Sequence, residues 1–399
     1  MASMKMKIAV LFGGKSVEHE VSIISGLQAY CNLDREKYDP IAVYIDKKGD
    51  MFTGEKIGDI RSYKGDIAAL TAESTRVTFV GDNEKTYLVR YPAKHFGNNV
   101  LAEIDAALPV VHGTNVEDGN LAGYLHSVNC PFVGCDVLSA ALGMDKYAAK
   151  MIMKAAGIPV LDCVLLKRRD CLLDTEAHLD RIEKATRYPV IVKPVNLGSS
   201  IGIKKANDRA SLAEALEYAF EFADRVLVEN AVENLREINC SVLGDKDSAR
   251  ASECEEPVSH DEILSYADKY TQGGGKAGSK SAGMADTKRL LPAPITPEQK
   301  ELVQKYAVEA FLSLGCSGVA RIDFLLDNES GELFVNEINT IPGSLSFYLW
   351  EASGMPFAAL LDELIRLALK RRREENENCY SFETNILSGA SFGGAKGKA

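Results

Sequence analysis

The sequence lacks any long apolar segment and any excess of basic residues. No run of 18 apolar residues is available to span a bilayer, which excludes a helical membrane protein. Lys and Arg number 46 against 57 Asp and Glu, so the formal net charge is −11 and general binding to nucleic-acid phosphates is not expected. Hydrophobic residues at 46% and charged residues at 26% are typical of a globular protein. An anionic ligand therefore needs a local basic pocket.

Cysteine patterns typical of disulfide frameworks or zinc sites are also missing. The nine cysteines are odd in number, scattered, and form no Cys-x-x-Cys pair. His126 lies near Cys130 and Cys135, but a fourth ligand is missing, so we interpret this grouping as chance. The apolar stretch at 8–12 is too short for a signal peptide. These features predict a reducing, cytoplasmic location.

Two common nucleotide-binding motifs are absent. The chain contains no G-x-x-x-x-G-K-[ST] phosphate loop. After the first predicted strand it has GGKSVE at 13–18 instead of the G-x-G-x-x-G of nicotinamide dehydrogenases, which argues against that class. A nucleotide, if bound, must be held in another way.

The sequence does contain alternating strand and helix patterns, over a length that suggests two or three domains. An apolar run at 7–12, a Gly-Gly turn and a helical pattern at 18–28 predict the opening of an α/β domain. Further strands are predicted at 39–45, 76–80, 86–90, 106–111, 190–194, 225–229 and 237–243, and helices at 120–128, 146–156, 210–223, 296–314 and 357–370. The Gly-rich stretch 265–284 predicts a mobile lid, and the residues from 374 onward predict a disordered tail.

The strongest chemical signal is a pair of neighbouring strand patterns at 319–326 and 332–338. Alternation with period two places Arg321 and Asp323 on one face of the first strand, and Glu337 and Asn339 on one face of the second. Two carboxylates and an amide oxygen suit Mg²⁺, which shares its other positions with water and nucleotide phosphates, whereas zinc favours His or Cys. The alternative is an exposed, salt-bridged hairpin, although the apolar residues on the other face predict burial.

A weaker signal is a set of cations beside a loop of small residues. Lys193 ends a predicted strand and is followed by GSSIG at 198–202, a flexible loop with backbone N–H groups that suit phosphates. Lys146 begins a predicted helix and offers another positive charge. Taken alone, the loop is as typical of an ordinary turn, and Lys146 of plain surface.

Seven motifs occur in the order seen in the D-alanine:D-alanine ligases of the ATP-grasp superfamily, which the chain resembles from about residue 5 to about residue 370. They are GGKSVEHEVS at 13–22, HGTNVEDG at 112–119, MDK at 144–146, VKP at 192–194 with GSSIG at 198–202, KY at 269–270, RID at 321–323 and EINTIPG at 337–343. The resemblance implies an α/β (α+β ATP-grasp) fold with a parallel-sheet N-terminal domain at 1–134, a central domain at 135–230 and a C-terminal domain at 231–375 that clasps ATP with it. Residues 376–399 are left as a tail.

The resemblance also implies how ATP and metal are held. Asp323, Glu337 and Asn339 resemble the ligands of two Mg²⁺ ions, with Mn²⁺ as an alternative, and Arg321 resembles the arginine that stabilises the transferred phosphoryl group. The implied phosphate contacts are Lys146, Lys193, Ser200 and Lys269, with Glu229 in the adenine hinge and Glu237 at the ribose. The implied cofactors are therefore ATP and Mg²⁺.

On the substrate side, Glu18, Ser199 and Tyr270 resemble a hydrogen-bonded trio above the substrates, and Gly343 resembles the backbone N–H that binds an oxyanion. His112 is either a substrate-site residue or a buried histidine with satisfied hydrogen bonds. The implied reaction phosphorylates a carboxylate and then attacks the acyl phosphate with an amine, behind a lid that excludes water. The predicted product is D-alanyl-D-alanine for peptidoglycan precursors, made by a homodimer that binds ATP and D-amino acids but neither nucleic acid nor membrane.

Three positions depart from the family pattern. The family often has P-G-M-T-x-x-S, whose last Ser binds the acceptor, whereas here Tyr348 stands at that position and Ser346 two residues earlier. The spacing from Glu229 to Glu237 is one residue longer than usual, and Val116 replaces a usual Gly. The alternatives are a D-alanine:D-serine ligase, another amino-acid ligase, or a non-catalytic nucleotide-binding regulator.

Overall fold

The computed structural model describes residues 5–198, 200–258, 289–380 and 384–385. The predicted lid at 265–284 and the candidate site residues Ser199, Lys269 and Tyr270 lie outside these residues. The strands are β1 Met6–Gly13, β2 Tyr38–Ile45, β3 Met51–Thr53, β4 Thr75–Asp82, β5 Lys85–Arg90, β6 Val100–Ile104, β7 Ala106–Pro109, β8 Cys163–Lys167, β9 Val190–Pro194, β10 Lys204–Ala206, β11 Arg225–Asn230, β12 Leu235–Gly244, β13 Ala249–Pro257, β14 Arg289–Leu290, β15 Gly318–Asp327 and β16 Leu333–Asn339. The helices are α1 His19–Asn32, α2 Ile67–Glu73, α3 Asn120–Ser127, α4 Val137–Met144, α5 Lys146–Ala155, α6 Arg168–Leu173, α7 Thr175–Ala185, α8 Arg209–Phe222, α9 Pro297–Ser313, α10 Phe347–Ala352 and α11 Phe357–Asn376.

The first sheet has the strand order β6-β5-β4-β3-β2-β1-β7. Strand β1 is parallel to both of its neighbours, β2 and β7, whereas the strand pairs from β2 to β6 are antiparallel. The sequence predicted a parallel sheet. The antiparallel extension arises because short turns return the chain beside itself, as at Asn83 and Glu84, which have φ of 47° and 68°. Helices α1 and α11 bury Leu27 and Leu364 against this sheet.

Two further sheets are antiparallel throughout, with the orders β10-β9-β11-β8 and β14-β13-β12-β15-β16. Helix α9 begins with a capping box at Thr296 and Gln299 and buries Phe311 against the apolar face of the last sheet, which carries Ile322 and Phe324. The other face of that sheet is left for polar side chains. The predicted α/β class with sheet-and-helix units is confirmed.

Helix α11 is longer than the sequence prediction. It was expected to end at residue 370, but it continues to Asn376 and so includes residues assigned to the tail. Ion pairs one turn apart, Lys370 with Glu374 at 3.5 Å and Arg371 with Glu375 at 3.9 Å, support the added turns. In the part of the chain that the structure describes, no helix is long and apolar enough to cross a membrane.

Candidate active site

The polar face of the third sheet brings the predicted metal-binding side chains together. Asp323 on β15 lies opposite Glu337 on β16, and Arg321 lies opposite Asn339. Because side chains alternate along each strand, all four project from one face, while Ile322 and Ile338 are buried on the other. Arg321 is 6% exposed, so the exposed hairpin considered from the sequence is not what forms.

Each carboxylate in this group is bound by a cation. Arg321 donates through Nε to Oδ1 of Asp323 at 2.6 Å and through Nη2 to Oδ2 at 2.7 Å, and Asn339 donates Nδ2 to the same Oδ2 at 3.0 Å. Lys146, at the start of α5, lies 2.8 Å from Oε2 of Glu337 and donates to the carbonyl of Leu197 at 2.7 Å. The site therefore has two groups at paired strand positions: Asp323 with Arg321 and Asn339, and Glu337 with Lys146.

The donor set fits Mg²⁺ better than zinc. Within the described ranges no three His, Cys, Asp or Glu side chains gather as a metal cluster. Asp323, Glu337 and Asn339 offer only hard oxygen donors, and two of the three are carboxylates. Mg²⁺ commonly uses one or two carboxylates and completes its octahedron with water and substrate phosphates.

A large cavity of about 510 Å³ opens beside this group, between the second and third sheets. Its wall includes every predicted ATP contact that the structure describes and two of the predicted metal ligands: Lys146, Lys193, Ser200, Glu229 and Glu237, with Asp323 and Glu337. Its volume lies in the range of small-molecule and cofactor sites. Lys193 is 3% exposed and donates to Oδ1 of Asn336 at 2.9 Å, and Glu229, 2% exposed, is ion-paired with Lys193.

A smaller pocket of about 50 Å³ adjoins the large cavity at Lys146. It is lined by Glu18, His112, Glu117, Arg321 and the segment from Glu337 to Gly343, and it shares Lys146, Leu197, Gly198 and Glu337 with the large cavity. The Glu18 carboxylate lies against Gly198, since a Cβ built there would be 3.4 Å from its Oε2. Residues predicted to bind the phosphates therefore border residues predicted to face the substrates.

His112 is buried with both ring nitrogens engaged. Nδ1 lies 2.8 Å from the carbonyl of Ile341, which only accepts, so Nδ1 carries the proton and Nε2 accepts from Oγ of Ser25 at 3.0 Å. The backbone N–H of Ser344 donates to the same Oγ at 3.0 Å. Burial lowers the pKa of His112, with the Arg321 charge contributing in the same direction. His112 is thus a neutral, oriented histidine that also lines the small pocket.

The segment after Gly343 turns in an unusual conformation. Ser344, Leu345 and Ser346 have φ of 51°, 54° and 50°, in the left-handed region that side chains disfavour. Ser346 is fully buried, and its Oγ has no hydrogen-bond partner among the described residues. Tyr348 follows at the start of α10 and donates its hydroxyl to Oε1 of Glu255 at 3.0 Å. The Arg289 guanidinium lies 3.8 Å from the Tyr348 ring centroid.

Comparison with known proteins now decides the family. The family model described as D-ala D-ala ligase N-terminus matches residues 7–135, and the model described as D-ala D-ala ligase C-terminus matches residues 152–366. The chain belongs to the D-alanine–D-alanine ligase family. D-alanine–D-alanine ligases of Thermosipho africanus and Thermoanaerobacter sp. (strain X514) are 36% and 41% identical, over 96% and 94% of this chain and 98% and 99% of theirs.

Solved structures of this family have the same fold. The D-alanine–D-alanine ligase from Coxiella burnetii superposes with a TM-score of 0.78 at 31% identity and covers 94% of this chain and 96% of its own. The VanG D-Ala:D-Ser ligase from Enterococcus faecalis superposes with a TM-score of 0.74 at 34% identity and covers 92% and 100%. ATP and a divalent metal are used generally in this ligase family.

Three residues near the site were not predicted from the sequence. Glu117 lies inside the quoted HGTNVEDG motif, and its position five residues after His112 was an available signal. Lys150 follows Lys146 by one helical turn, which predicts a shared helix face. Glu255 gave no such signal, because β13 was not predicted. Glu255 pairs across the strands with Asn239 on β12, which in turn pairs with Asp323 on β15, so all three lie on the polar face of the third sheet.

Glu117 is expected to make stability fall with rising pH. Burial raises the pKa of the Glu117 carboxyl to about 7. The backbone N–H groups of Gly113 and Ile341 donate to the carboxylate at 3.0 and 2.9 Å and lower the pKa, but their effect is smaller. The folded chain then holds a proton that the unfolded chain releases near its ordinary value of 4.5. Between these values the folded state binds more protons, so the stability that this group contributes is complete below the unfolded pKa and is lost as pH rises through about 7.

Glu117→Gln keeps an acceptor for Ile341 but removes this titration. We expect the variant to show a smaller loss of unfolding free energy between pH 5 and pH 8, by about 1 to 2 kcal/mol after allowance for partial exposure. Urea unfolding of both proteins at the two pH values measures the difference. Equal pH dependence in wild type and variant would contradict the assignment.

Proposed function

We propose that this chain is an ATP-dependent ligase that joins D-alanine to D-alanine through an acyl phosphate, for peptidoglycan precursor synthesis. The observation that carries the proposal is the junction of two cavities at Lys146 and Glu337, with Arg321 and Asp323 beside it. One cavity has the volume of a nucleotide site, and the other meets it where the cations lie. Phosphoryl transfer between ligands in the two cavities needs this arrangement.

Each residue at the junction has a role in the proposed first step. A substrate carboxylate attacks the γ-phosphate, and ADP leaves. Lys146, Lys193 and Ser200 bind the phosphates, while Arg321 stabilises the charge on the transferred phosphoryl group. Asp323, Glu337 and Asn339 would hold Mg²⁺, and we infer two ions, with Mn²⁺ as an alternative. Bound there, the metal neutralises phosphate charge.

In the proposed second step the amine of the acceptor attacks the acyl carbon, the bond from the acyl carbon to the phosphate oxygen breaks, and the departing phosphate takes up the amine proton. Gly343, which lines the small pocket, offers a backbone N–H to the oxyanion, and Glu18 lines the same pocket. His112 orients the Ile341 carbonyl and the Ser25 hydroxyl rather than accepting a proton, since its two nitrogens are already committed. Glu229 and Glu237 are proposed for adenine and ribose, and Ser199, Lys269 and Tyr270 for the cover over the substrates.

A D-alanine:D-serine ligase is the second candidate, favoured by one observation. Tyr348 occupies the position of the acceptor-binding Ser in the family pattern. From the resemblance to the ligase family, we also propose that the protein is a homodimer in the cytoplasm.

The proposed ligase activity is tested by measuring ATP-dependent phosphate release with D- and L-amino acids, singly and in pairs. D-alanine alone is expected to give the highest rate, with D-alanyl-D-alanine as product. A higher rate with D-alanine plus D-serine would select the second candidate. Nucleotide binding without turnover on any amino acid would contradict a ligase and favour a regulator.

Tyr348→Ser is expected to change acceptor preference. The ring is 8% exposed and contacts Glu255 and Arg289, which are themselves ion-paired at 2.9 Å. Its removal therefore opens space beside this ion pair and takes away the hydroxyl that donates to Glu255. We expect the ratio of kcat/KM between D-serine, D-lactate and D-alanine as acceptors to change about tenfold, within the range for one altered pocket contact. Tyr348→Phe, which keeps the ring, is the control for the hydroxyl. An unchanged ratio in Tyr348→Ser would exclude Tyr348 from the acceptor subsite.

A further inference from the structure

Lys150 is a fully buried lysine behind the wall of the large cavity. Its exposed fraction is 0%, and it does not line the cavity. The ammonium lies 3.0 Å from Oε2 of Glu229 and donates to the carbonyl of Leu161 at 3.4 Å. Lysine is rarely buried to this extent, because its charge is costly to remove from water. A methionine of similar size would fill the same space at lower cost.

The charges around Lys150 do not balance. Glu229 is shared by two ammonium groups, since its Oε1 is ion-paired with Lys193 and its Oε2 with Lys150. Lys193 has the Asn336 amide oxygen as its other contact, and that group is neutral. The neighbouring Lys146 is matched by Glu337. The group Lys150, Glu229 and Lys193 therefore carries a net charge of about +1 in a buried setting.

Of the three charged residues in this group, the two that face the large cavity are Lys193 and Glu229. Lys150 stands behind them. If Lys150 were neutral, Lys193 and Glu229 would form a closed one-to-one ion pair with little attraction for an anion. With Lys150 charged, one carboxylate oxygen of Glu229 is already paired with Lys150, on the side away from the cavity, and only the other oxygen pairs with Lys193.

We propose that Lys150 is a positioning residue for phosphate binding: by sharing Glu229 it keeps the positive charge of Lys193 available to an anion in the large cavity. The inference rests on the proposed function, because it takes a nucleotide phosphate as that anion. It predicts that a change at Lys150 weakens ligands with phosphate and spares those without.

Titration calorimetry with ADP and with adenosine, both in the presence of Mg²⁺, separates these effects. Lys150→Met is expected to weaken ADP about tenfold, the size of one charged contact, and to change adenosine affinity by less than about twofold. Lys150→Arg keeps the charge and is expected to recover most of the ADP affinity. Lys154→Met is the matched control, since Lys154 lies one turn further along α5, is exposed and pairs with Asp162.

A purely structural role would give a different pattern. Equal weakening of ADP and adenosine in Lys150→Met, or no weakening of either, would overturn the inference. If Lys150→Met does not fold, Lys150→Gln, which keeps a donor toward Leu161, is judged by the same ratio of adenosine to ADP affinity. Wild-type protein that binds neither ligand would overturn the proposed function itself.

A double variant provides an independent check. Lys150→Met with Glu229→Gln removes one charge of each sign, so the net charge of the group returns to that of the wild type. We expect the ratio of adenosine to ADP affinity to return toward the wild-type value, although both affinities fall if Glu229 contacts adenine. A ratio no better than that of Lys150→Met alone would contradict the charge argument.

Discussion

Asp323→Asn and Glu337→Gln are each expected to reduce ATP-dependent phosphate release by about a thousandfold while the protein stays folded. Both changes remove one negative charge from the proposed metal site without changing the size of the side chain. The two residues lie on the polar face of the third sheet, away from the core formed by Ile322, Phe324 and Phe311. The loss should therefore appear in turnover rather than in unfolding.

Initial rates across a Mg²⁺ titration, together with thermal unfolding, measure both quantities. Each variant is expected to need more Mg²⁺ for its remaining activity, because one charged ligand is lost. Asp327→Asn is the matched control, since Asp327 ends the same strand but lines neither cavity. Near-normal phosphate release by either site variant would exclude that residue as a metal ligand.

Arg321→Met is expected to reduce turnover by roughly a hundredfold to a thousandfold and, at the same time, to lower the Mg²⁺ concentration needed for half-maximal rate. The two effects have separate causes. Arg321 is the proposed cation for the transferred phosphoryl group, so its loss slows the chemical step. It also holds both oxygens of Asp323 at 2.6 and 2.7 Å, so its loss removes a competitor for the metal.

The opposite directions make this prediction specific. A variant that merely unfolds loses rate without gaining apparent Mg²⁺ affinity, and a variant at a residue outside the site changes neither. Arg250→Met, on β13 of the same sheet but exposed and stacked on Trp350, is the control. Higher Mg²⁺ requirement in Arg321→Met would show that the guanidinium helps rather than competes at Asp323.

The hairpin of β15 and β16 could be predicted from the sequence because the residues that define it lie in two consecutive strand segments. Alternation with period two fixes which side chains share a face, and two adjacent strands suffice to bring Asp323 and Glu337 together. The opening strand and helix and the helices α5 and α9 are confirmed for the same reason. Their apolar spacing and end signals lie within one segment.

Contacts between distant segments could not be predicted in this way. The pairing of Lys150 with Glu229 depends on how α5 packs against β11, and no local pattern contains that information. Tyr348 and Glu255 meet because α10 covers β13, neither of which was predicted. Three points stay predictions. They are the domain boundaries after residues 134 and 230, the catalytic and binding roles of the site residues, and the part that Ser199, Lys269 and Tyr270 play in covering the substrates.

The small pocket is assembled from parts of the chain that are made far apart in time. Glu117 accepts from the backbone of Ile341, 224 residues later, and His112 binds the same residue from 229 residues away. A nascent chain on the ribosome thus exposes its first sheet well before the strand that completes the pocket has been translated. Such long-range closure is slow, so substrate binding should be one of the last properties that a growing or refolding chain acquires.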